Sequence, residues 1–362
     1  MQKVVVFLLL IMALPVWANM ASPYIEGSEI GTTFVNRHAS VLSEKLTIVP
    51  DSAFEYASIE AEYRISLDST GVEIPMLFVA KDFAGDFQLS IDGNTAEAQP
   101  LSQSKIGFLE QLPFGWEAVL DSAGNEHNSL TVSWSAWHQA HMGMDDLIYF
   151  ETNLDSGYHE IRVRYTAKTW EDRSDWVKRS FLSYSLSPAR YWKGFGGLEL
   201  VLDNRHFGKN LLIRDIDKPQ EGQLDAVATW RFDEIPTDVL TIEYNPQVSR
   251  WANLLMGIGP LGISLICIFP FLLVHLLLLS RFRKRNSKKF NPWILLGGLV
   301  IPVVWGLFLM NSYSWIDAAL GEAAGGRQGY MLIVGLFIVV PILIVGYSLF
   351  GVAIDVFLKR KA

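Results

Sequence analysis

Hydrophobic and polar residues alternate in short segments between Tyr24 and Tyr244, and long apolar runs follow. The alternation is clearest from 59 to 67, where one face would carry Ile59, Ala61, Tyr63, Ile65 and Leu67. Alternation with β-branched and aromatic residues predicts half-buried strands. Turns rich in Asp, Asn and Gly separate these segments. The pattern therefore predicts a mainly β domain, an antiparallel β-sandwich built as one large sandwich or as two smaller ones.

Three apolar runs after Arg250 predict an α-helical bundle of three transmembrane spans. A helix needs about 20 apolar residues to cross the hydrocarbon core of a bilayer. We expect the spans at 251–280, 293–310 and 330–358. A basic loop at 281–292, a polar loop at 311–329 and a tail at 359–362 complete this region. Within the polar loop, a short amphipathic helix at Trp315–Leu320 is the alternative to an irregular chain.

The N-terminus predicts export of the β domain. Residues 1–18 hold one lysine, an apolar core and a terminal alanine, as a cleavable signal peptide does. The alternative is an uncleaved anchor. Cleavage after Ala18 would leave an exported domain at 19–250.

The distribution of basic residues predicts the orientation. Arg281–Lys289 and Lys359–Lys361 are basic, whereas the 311–329 loop holds only Arg327. Basic segments stay in the cytoplasm. We therefore expect a protein of the bacterial inner membrane, with a large periplasmic domain and a cytoplasmic C-terminus.

Charge and cysteine content indicate which partners and which cellular compartment the sequence favours. Residues 19–250 carry 35 acidic and 19 basic residues, a net charge of −16, and the remainder carries +8. An acidic exterior disfavours nucleic acid, because phosphate binding needs an excess of Lys and Arg. The single cysteine, Cys267, lies in the first predicted span, and the chain holds no Asn-x-Ser/Thr sequence. Both features suit a bacterial envelope protein.

Two features of the predicted spans bear on nucleotide binding and transport. Gly257–Gly262 matches G-x-G-x-x-G, but it follows no strand and lies in an apolar run, so we expect helix packing or a bend at Pro260. The ionisable groups of the spans are His275 and Asp355, both near the cytoplasmic end, and Asp355 could pair with Lys359. A transport pathway normally needs such groups at mid-depth, so transport through the bundle is disfavoured.

One exported segment has the residue types of a metal site. Its imidazoles and thioethers form a soft ligand set that suits copper or another transition metal. These candidate ligands are His138, His141, Met142 and Met144. The alternative is an ordinary loop that closes a hairpin, and we expect no other cofactor.

A second exported region is dense in aromatic and cationic residues. Trp, Tyr and Arg are common anchors of binding interfaces. The candidate ligand- or partner-binding residues are Trp170, Trp176, Arg190, Tyr191, Trp192 and Phe195. The alternative is that these rings pack within the domain or on the membrane surface.

The sequence favours a non-enzymatic function, since no catalytic motif such as G-x-S-x-G is present. The favoured hypothesis is a membrane-anchored envelope protein whose exported β-sandwich is a ligand-binding, protein-binding or assembly module. Its expected partners are other envelope or membrane proteins. The alternatives are a membrane-bound metal-dependent or glycan- or lipid-acting enzyme, and an accessory subunit of a transport complex.

Overall fold

The computed structural model of the chain describes residues 24–25, 28–31, 34–35, 39–69, 72–81, 83–100, 114–120, 126–133, 139–143, 146–286, 289–326 and 330–361. The predicted signal peptide and the candidate ligands His138 and Met144 lie outside these residues. The chain divides into two compact units. A β-rich unit comprises Tyr24–Asp172 and Lys178–Gln247, and a helical unit comprises Arg173–Val177 and the chain from Val248 onward.

The strands that the structure describes in the β-rich unit form three sheets. The ten-stranded sheet contains β1 (Tyr24–Ile25), β2 (Glu29–Gly31), β3 (Phe34–Val35), β6 (Val72–Lys81), β9 (Gln99–Pro100), β13 (Leu147–Leu154), β15 (Trp170–Asp172), β16 (Arg179–Ser185), β19 (Leu211–Arg214) and β22 (Val239–Tyr244). The nine-stranded sheet contains β4 (Ala39–Pro50), β5 (Tyr56–Leu67), β7 (Ala84–Ile91), β8 (Asn94–Ala96), β14 (Gly157–Lys168), β17 (Gly194–Phe195), β18 (Leu198–Asp203), β20 (Glu221–Gly222) and β21 (Val227–Phe232). The three-stranded sheet contains β10 (Phe114–Leu120), β11 (Glu126–Ser133) and β12 (Gln139–Met142).

The two large sheets are mixed, which differs from the purely antiparallel prediction. Strand β18 runs parallel to β4, with Leu200 opposite Leu46. Strands β17 and β4, and β16 and β2, also pair in parallel. Alternation alone does not give strand direction, because side chains of parallel and antiparallel strands both repeat every second residue.

The core of the β-rich unit joins side chains from both large sheets. The predicted alternation in β5 is present, because its inward residues are buried and its outward residues are not. Tyr63 lies 6.5 Å from Phe78 of the ten-stranded sheet, measured between ring centroids. Leu182, Leu240 and other residues of the ten-stranded sheet belong to the same hydrophobic cluster.

The helical unit contains α1 (Arg250–Arg285), α2 (Trp293–Leu320) and α3 (Tyr330–Lys361). All three are long and apolar enough to cross a membrane. The hydroxyl of Ser249 caps α1 by accepting from the Ala252 amide at 3.1 Å. Gly259 interrupts α1 with a φ of 69°, immediately before Pro260, where the sequence predicts a bend.

Helix α2 continues to Leu320, beyond the expected end of the second span at Met310. Its last turns have an apolar side, since Ile316 and Leu320 pack in one cluster with Ala252 and Ile263 of α1. A following 3₁₀ turn covers Gly321–Ala323. The region predicted as an external loop is therefore helical over its first half.

The segment Arg173–Val177 belongs to the helical unit although it lies between β15 and β16 in sequence. Val177 forms an antiparallel bridge with Ala324, and the Gly325 amide donates to the Trp176 carbonyl at 2.8 Å. The ring centroids of Trp176 and Tyr313 are 5.4 Å apart. Backbone hydrogen bonds and ring packing thus attach this segment to the end of α2.

Candidate functional site

The helical unit exposes many large apolar side chains and buries several polar ones. Leu277, Leu295 and Leu349 expose more than half of their surface, each on a different helix. By contrast, Arg283, Asn291 and Asp355 are 4%, 0% and 7% exposed. Extensive exposed apolar surface and buried charges are both uncommon in water-soluble proteins.

A buried ion pair joins the first and third helices. Arg283 of α1 donates from Nε to Oδ1 of Asp355 at 2.9 Å and from a second guanidinium nitrogen to Oδ2. Asn291 donates to the same Oδ1 at 2.8 Å and to the Leu279 carbonyl at 3.3 Å. Arg283 also donates to the carbonyls of Asn286 and Lys289 in the turn before α2. The cluster thus ties α1, α3 and the connecting turn together.

Sequence spacing suggested Lys359 as the partner of Asp355, but the hydrogen-bonded partner is Arg283. Lys359 is exposed on α3, whereas Arg283 is buried beside the carboxylate. The i, i+4 spacing points to a residue on the same helix. A buried carboxylate, however, needs a partner that is itself buried beside it. Asn291 was also missed, since an Asn before a Pro reads as a turn.

His275 links all three helices. Its Nε2 lies 2.8 Å from the Trp293 carbonyl of α2, and its Nδ1 lies 2.8 Å from the Tyr347 hydroxyl of α3. A carbonyl oxygen only accepts hydrogen bonds, so Nε2 carries a hydrogen and donates it to the Trp293 carbonyl. Nδ1 then accepts a hydrogen bond from the Tyr347 hydroxyl. Both ring nitrogens are satisfied without a charge.

Gly297 makes room for the imidazole of His275. A Cβ at Gly297 would lie 2.0 Å from Nε2 of His275, which no side-chain carbon tolerates. A Cβ on the adjacent Gly298 would lie 2.0 Å from the Ser348 hydroxyl of α3. These two glycines therefore allow α1 and α3 to approach α2 closely.

The six candidate binding residues occupy several different environments. Trp170, in β15, stacks on Phe181 with ring centroids 6.1 Å apart and donates to the Ser28 carbonyl at 3.2 Å. Trp176 lies in the helical unit. Both Trp rings therefore make contacts within their own unit.

The remaining members follow one another along the chain after β16. Arg190 and Tyr191 end the 3₁₀ helix Ser187–Tyr191. Arg190 is exposed and pairs with Asp238 at 2.5 Å. Trp192 is 5% exposed and stacks on Tyr63, and Phe195 of β17 packs against the same core. Arg190 is thus a surface residue of this set, while Trp192 belongs to the core.

The candidate metal segment is described only in part. Strand β12 pairs with β11, which places His141 opposite Thr131 and Met142 opposite Leu130. Met142 is 3% exposed. Within the described part of the chain, no group of three His, Cys, Asp or Glu side chains could hold a metal ion. The prediction of a metal site at His138–Met144 is not tested by these residues.

A charged pair on the β-rich unit was not anticipated from the sequence. Nδ1 of His159 lies 2.7 Å from Asp92, and Nε2 lies 2.8 Å from the Asp155 carbonyl. Burial disfavours the imidazolium, but the hydrogen bonds and negative charge of these acceptors outweigh burial and raise the pKa of His159. Burial likewise opposes the charge of Asp92, but bonds from His159 and the Glu160 amide lower the pKa of Asp92. The pair therefore stabilises the charged imidazolium of His159 relative to that of a free histidine.

Polar groups also lie inside the core of the β-rich unit. A bulge in β4 between Val41 and Ser43 shifts the alternation and turns Glu44 inward, where it is fully buried. Burial first, and then the neighbouring Tyr184 and Glu44, hold the pKa of Tyr165 well above its ordinary value. Tyr165 therefore stays protonated and can act as a hydrogen-bond donor.

Cross-strand ion pairs cover the outer face of the nine-stranded sheet. Arg231 of β21 pairs with Glu199 at 3.0 Å and with Glu221 at 2.6 Å. Arg162 of β14 pairs with Glu60 and Glu62 of β5. Exposed pairs of this kind contribute little to stability, so they mainly keep an acidic surface soluble.

Comparison with known proteins does not assign a family. No protein family matches the sequence, and no curated protein does so. Among solved structures, a candidate nutrient binding protein from Legionella pneumophila aligns over 86% of this chain and 99% of its own, with 10% identity and a TM-score of 0.42.

Two enzymes from other organisms align with lower scores. Yeast LTA4 hydrolase aligns over 65% of this chain and 32% of its own, with 8% identity and a TM-score of 0.28. An M1 zinc metallopeptidase from Deinococcus radiodurans aligns over 59% and 45%, with 9% identity and a TM-score of 0.26. The chain thus spans less than half the length of either enzyme, and at these scores none of the three similarities indicates an activity.

Proposed function

We propose that this chain is a membrane-anchored protein of the bacterial envelope. Helices α1, α2 and α3 span the inner membrane and hold the β-rich unit, an exported sandwich-like domain, at the periplasmic face. The exported domain is a binding or assembly module for another envelope or membrane protein. Residues 1–18 act as the signal peptide that exports it.

The observation that carries this proposal is the exposed apolar surface of the helical unit, together with its buried ion pair. Leu277, Leu295 and Leu349 face outward, while Arg283 and Asp355 are paired inside. A lipid environment accepts the apolar exterior and requires that charges be paired. Water would favour neither feature.

The orientation is supported by the position of the basic residues. The turn between α1 and α2 is basic from Arg281 to Lys289, and α3 ends near Lys359 and Arg360. Both ends carry positive charge and therefore stay in the cytoplasm. An odd number of spans then places the β-rich unit outside.

Cysteine accessibility in intact spheroplasts tests the topology. In a Cys267→Ser background, Tyr158→Cys introduces a thiol at an exposed position of β14, and Arg281→Cys introduces one after α1. We expect a membrane-impermeant maleimide to label Tyr158→Cys in intact cells and Arg281→Cys only after lysis. Equal labelling of both before lysis would refute the spanning arrangement.

In-cell photo-crosslinking tests the binding function. A photoreactive amino acid at Arg190, an exposed member of the candidate binding residues, reports on neighbours of this part of the surface. The same amino acid at Tyr158, which is 80% exposed, is the control position. We expect position 190 to yield a discrete adduct with another envelope protein, and position 158 to yield less. Uncrosslinked monomer at both positions would argue against a partner-binding role.

A further inference from the structure

An apolar groove runs between α1 and α2 on the outside of the bundle. It has a volume of about 370 Å³, and its walls include Phe271, Val274 and Leu278 of α1 and Leu296 and Val300 of α2. On α1 the lining extends from Pro270 to Leu278, which is about 12 Å at 1.5 Å per residue. The groove is therefore about 12 Å long on the α1 side and almost free of polar groups.

The floor of the groove is held in place by the polar contacts already described. His275 and Gly297 both line it, and the imidazole occupies the space that a side chain at Gly297 would fill. Because Trp293 and Tyr347 take up both ring nitrogens of His275, the floor presents the carbon atoms of the ring. A polar ligand inserted between the helices would find few hydrogen-bond partners there.

Positive charge lies at one end of this groove. Arg281 follows Leu278 by three residues and Arg285 follows it by seven, so both continue the face of α1 that lines the groove. Both arginines are exposed, in contrast to Arg283, which is buried against Asp355. Trp293, which lines the same end, is a residue type that favours the membrane interface.

A second apolar groove provides a matched control for the first. It lies between α2 and α3, has a volume of about 340 Å³, and is lined by residues such as Val303, Leu307 and Phe337. None of its described lining residues is basic. The two grooves are alike in size and apolar character, and the arginines placed at the end of the first come from the continuation of α1 beyond its lining residues.

We propose that the α1–α2 groove is a binding site for an anionic phospholipid of the cytoplasmic leaflet. One acyl chain lies between Val274 and Val300, and the phosphate is held by Arg281 and Arg285. Arginine binds phosphate through two parallel hydrogen bonds, and basic residues between membrane helices favour anionic headgroups. This inference rests on the proposal that the helices span the membrane.

Native mass spectrometry of the full-length protein in mild detergent tests the site. Dioleoyl phosphatidylglycerol and dioleoyl phosphatidylcholine are titrated separately into delipidated protein. We expect one phosphatidylglycerol to bind preferentially. The double variant Arg281→Gln with Arg285→Gln should weaken this binding about 25-fold, about five-fold for each arginine. Val300→Trp, which fills the groove, should abolish the preferential binding.

Matched variants separate the site from general effects. Val303→Trp fills the second groove at a position with the same 40% exposure as Val300. Arg360→Gln removes an exposed arginine from α3. Both should bind phosphatidylglycerol as the unaltered protein does. Circular dichroism of each variant checks that the helices are intact, and the arginine variant tests the site if Val300→Trp does not fold.

Three results would overturn the proposal. Phosphatidylcholine could bind equally well, the arginine and Val300 variants could bind as the unaltered protein does, or cysteine at Leu296 could crosslink in cells to a polypeptide that fills the groove. Carbonate extraction of cell membranes distinguishes these failures from failure of the proposed function. A chain released by carbonate refutes the spanning helices, whereas a chain retained without lipid preference refutes only the lipid site.

Discussion

Arg283 and Asp355 form a two-point ion pair between the first and third helices, with Arg283 Nε 2.9 Å from Asp355 Oδ1. Both residues are buried, and Asn291 supplies a further hydrogen bond to the carboxylate. Because the residues lie far apart in sequence, the pair fixes the relative position of helices that the chain itself connects only through α2. This makes the pair the first target for mutation.

Loss of the Asp355 carboxylate should destabilise the bundle strongly. Asp355→Ala leaves the Arg283 guanidinium buried without its counter-charge, which typically costs about 3–5 kcal/mol. Thermal unfolding of the full-length protein in detergent, followed by circular dichroism of the helices, measures this loss.

Two further variants control for this interpretation. Lys359→Ala should change stability by less than about 0.5 kcal/mol, since Lys359 is exposed. Replacing both partners, as in Arg283→Met with Asp355→Leu, should recover much of the lost stability because no charge stays buried. If Lys359→Ala were as unstable as Asp355→Ala, the pair of Asp355 with Lys359, rather than with Arg283, would be the one that stabilises the bundle.

Gly297→Ala should separate α1 from α2. The added methyl would meet the His275 ring at 2.0 Å, and overpacking of this kind costs about 1–3 kcal/mol. Gly346→Ala is the control, because a Cβ there meets nothing within 4 Å. Thermal unfolding in detergent should therefore show a lower midpoint for position 297 and an unchanged or higher one for position 346. The reverse order would contradict the close packing of His275 on Gly297.

The His159–Asp92 pair should make the stability of the β-rich unit depend on pH. The folded state raises the pKa of His159, so its contribution is full below the ordinary value near 6.5 and is lost as pH rises through the raised value. The folded state lowers the pKa of Asp92, so that contribution is full above about 3.8 and is lost as pH falls through the lowered value. The stabilising contributions of His159 and Asp92 are therefore both full between about pH 3.8 and pH 6.5, the ordinary pKa values of the two groups.

Histidine-selective NMR titration measures this effect. The His159 resonance should titrate above pH 6.5, and it should be identified by its loss in His159→Gln. In Asp92→Asn the carboxylate is absent, so the titration of His159 should move to lower pH. An unchanged midpoint in Asp92→Asn would mean that the carboxylate does not hold the charged ring.

Trp192→Ala should damage the fold, whereas Arg190→Ala should leave it intact. Trp192 is buried against Tyr63, and truncating such a residue costs about 3–5 kcal/mol. Arg190 is exposed, and its pair with Asp238 lies at the surface. Urea unfolding monitored by near-ultraviolet circular dichroism compares the two. If both variants fold normally, Trp192 is not a core residue.

Periodicity predicted the local elements well but not their partners. The alternation of β5 is present, and three long apolar helices follow the β-rich unit. Periodicity did not reveal that β18 runs parallel to β4, because strand direction depends on which distant segments meet. It also placed the end of the second span at Met310, since Asn311 and Ser312 read as polar loop residues. In the helix, their side chains donate to the carbonyls of Leu307 and Leu309.

The candidate sites depended even more on distant contacts. His275 and Asp355 stand out in the sequence because ionisable residues are rare in apolar runs. Their partners Tyr347 and Arg283 each lie 72 positions away, beyond the reach of any local spacing rule. Aromatic residues are dense near Trp192, but composition does not distinguish a ring that packs on Tyr63 from one that faces a ligand.

Because Arg173–Val177 belongs to the helical unit, the β-rich unit cannot be isolated by a single truncation. A truncation after Gln247 would remove α1, α2 and α3 but keep this segment, whose Trp176 and Val177 would lose Tyr313 and Ala324. Its newly uncovered apolar surface would promote aggregation of the truncated fragment. A soluble version of the β-rich unit therefore needs two edits, the truncation and a short polar replacement for residues 173–177.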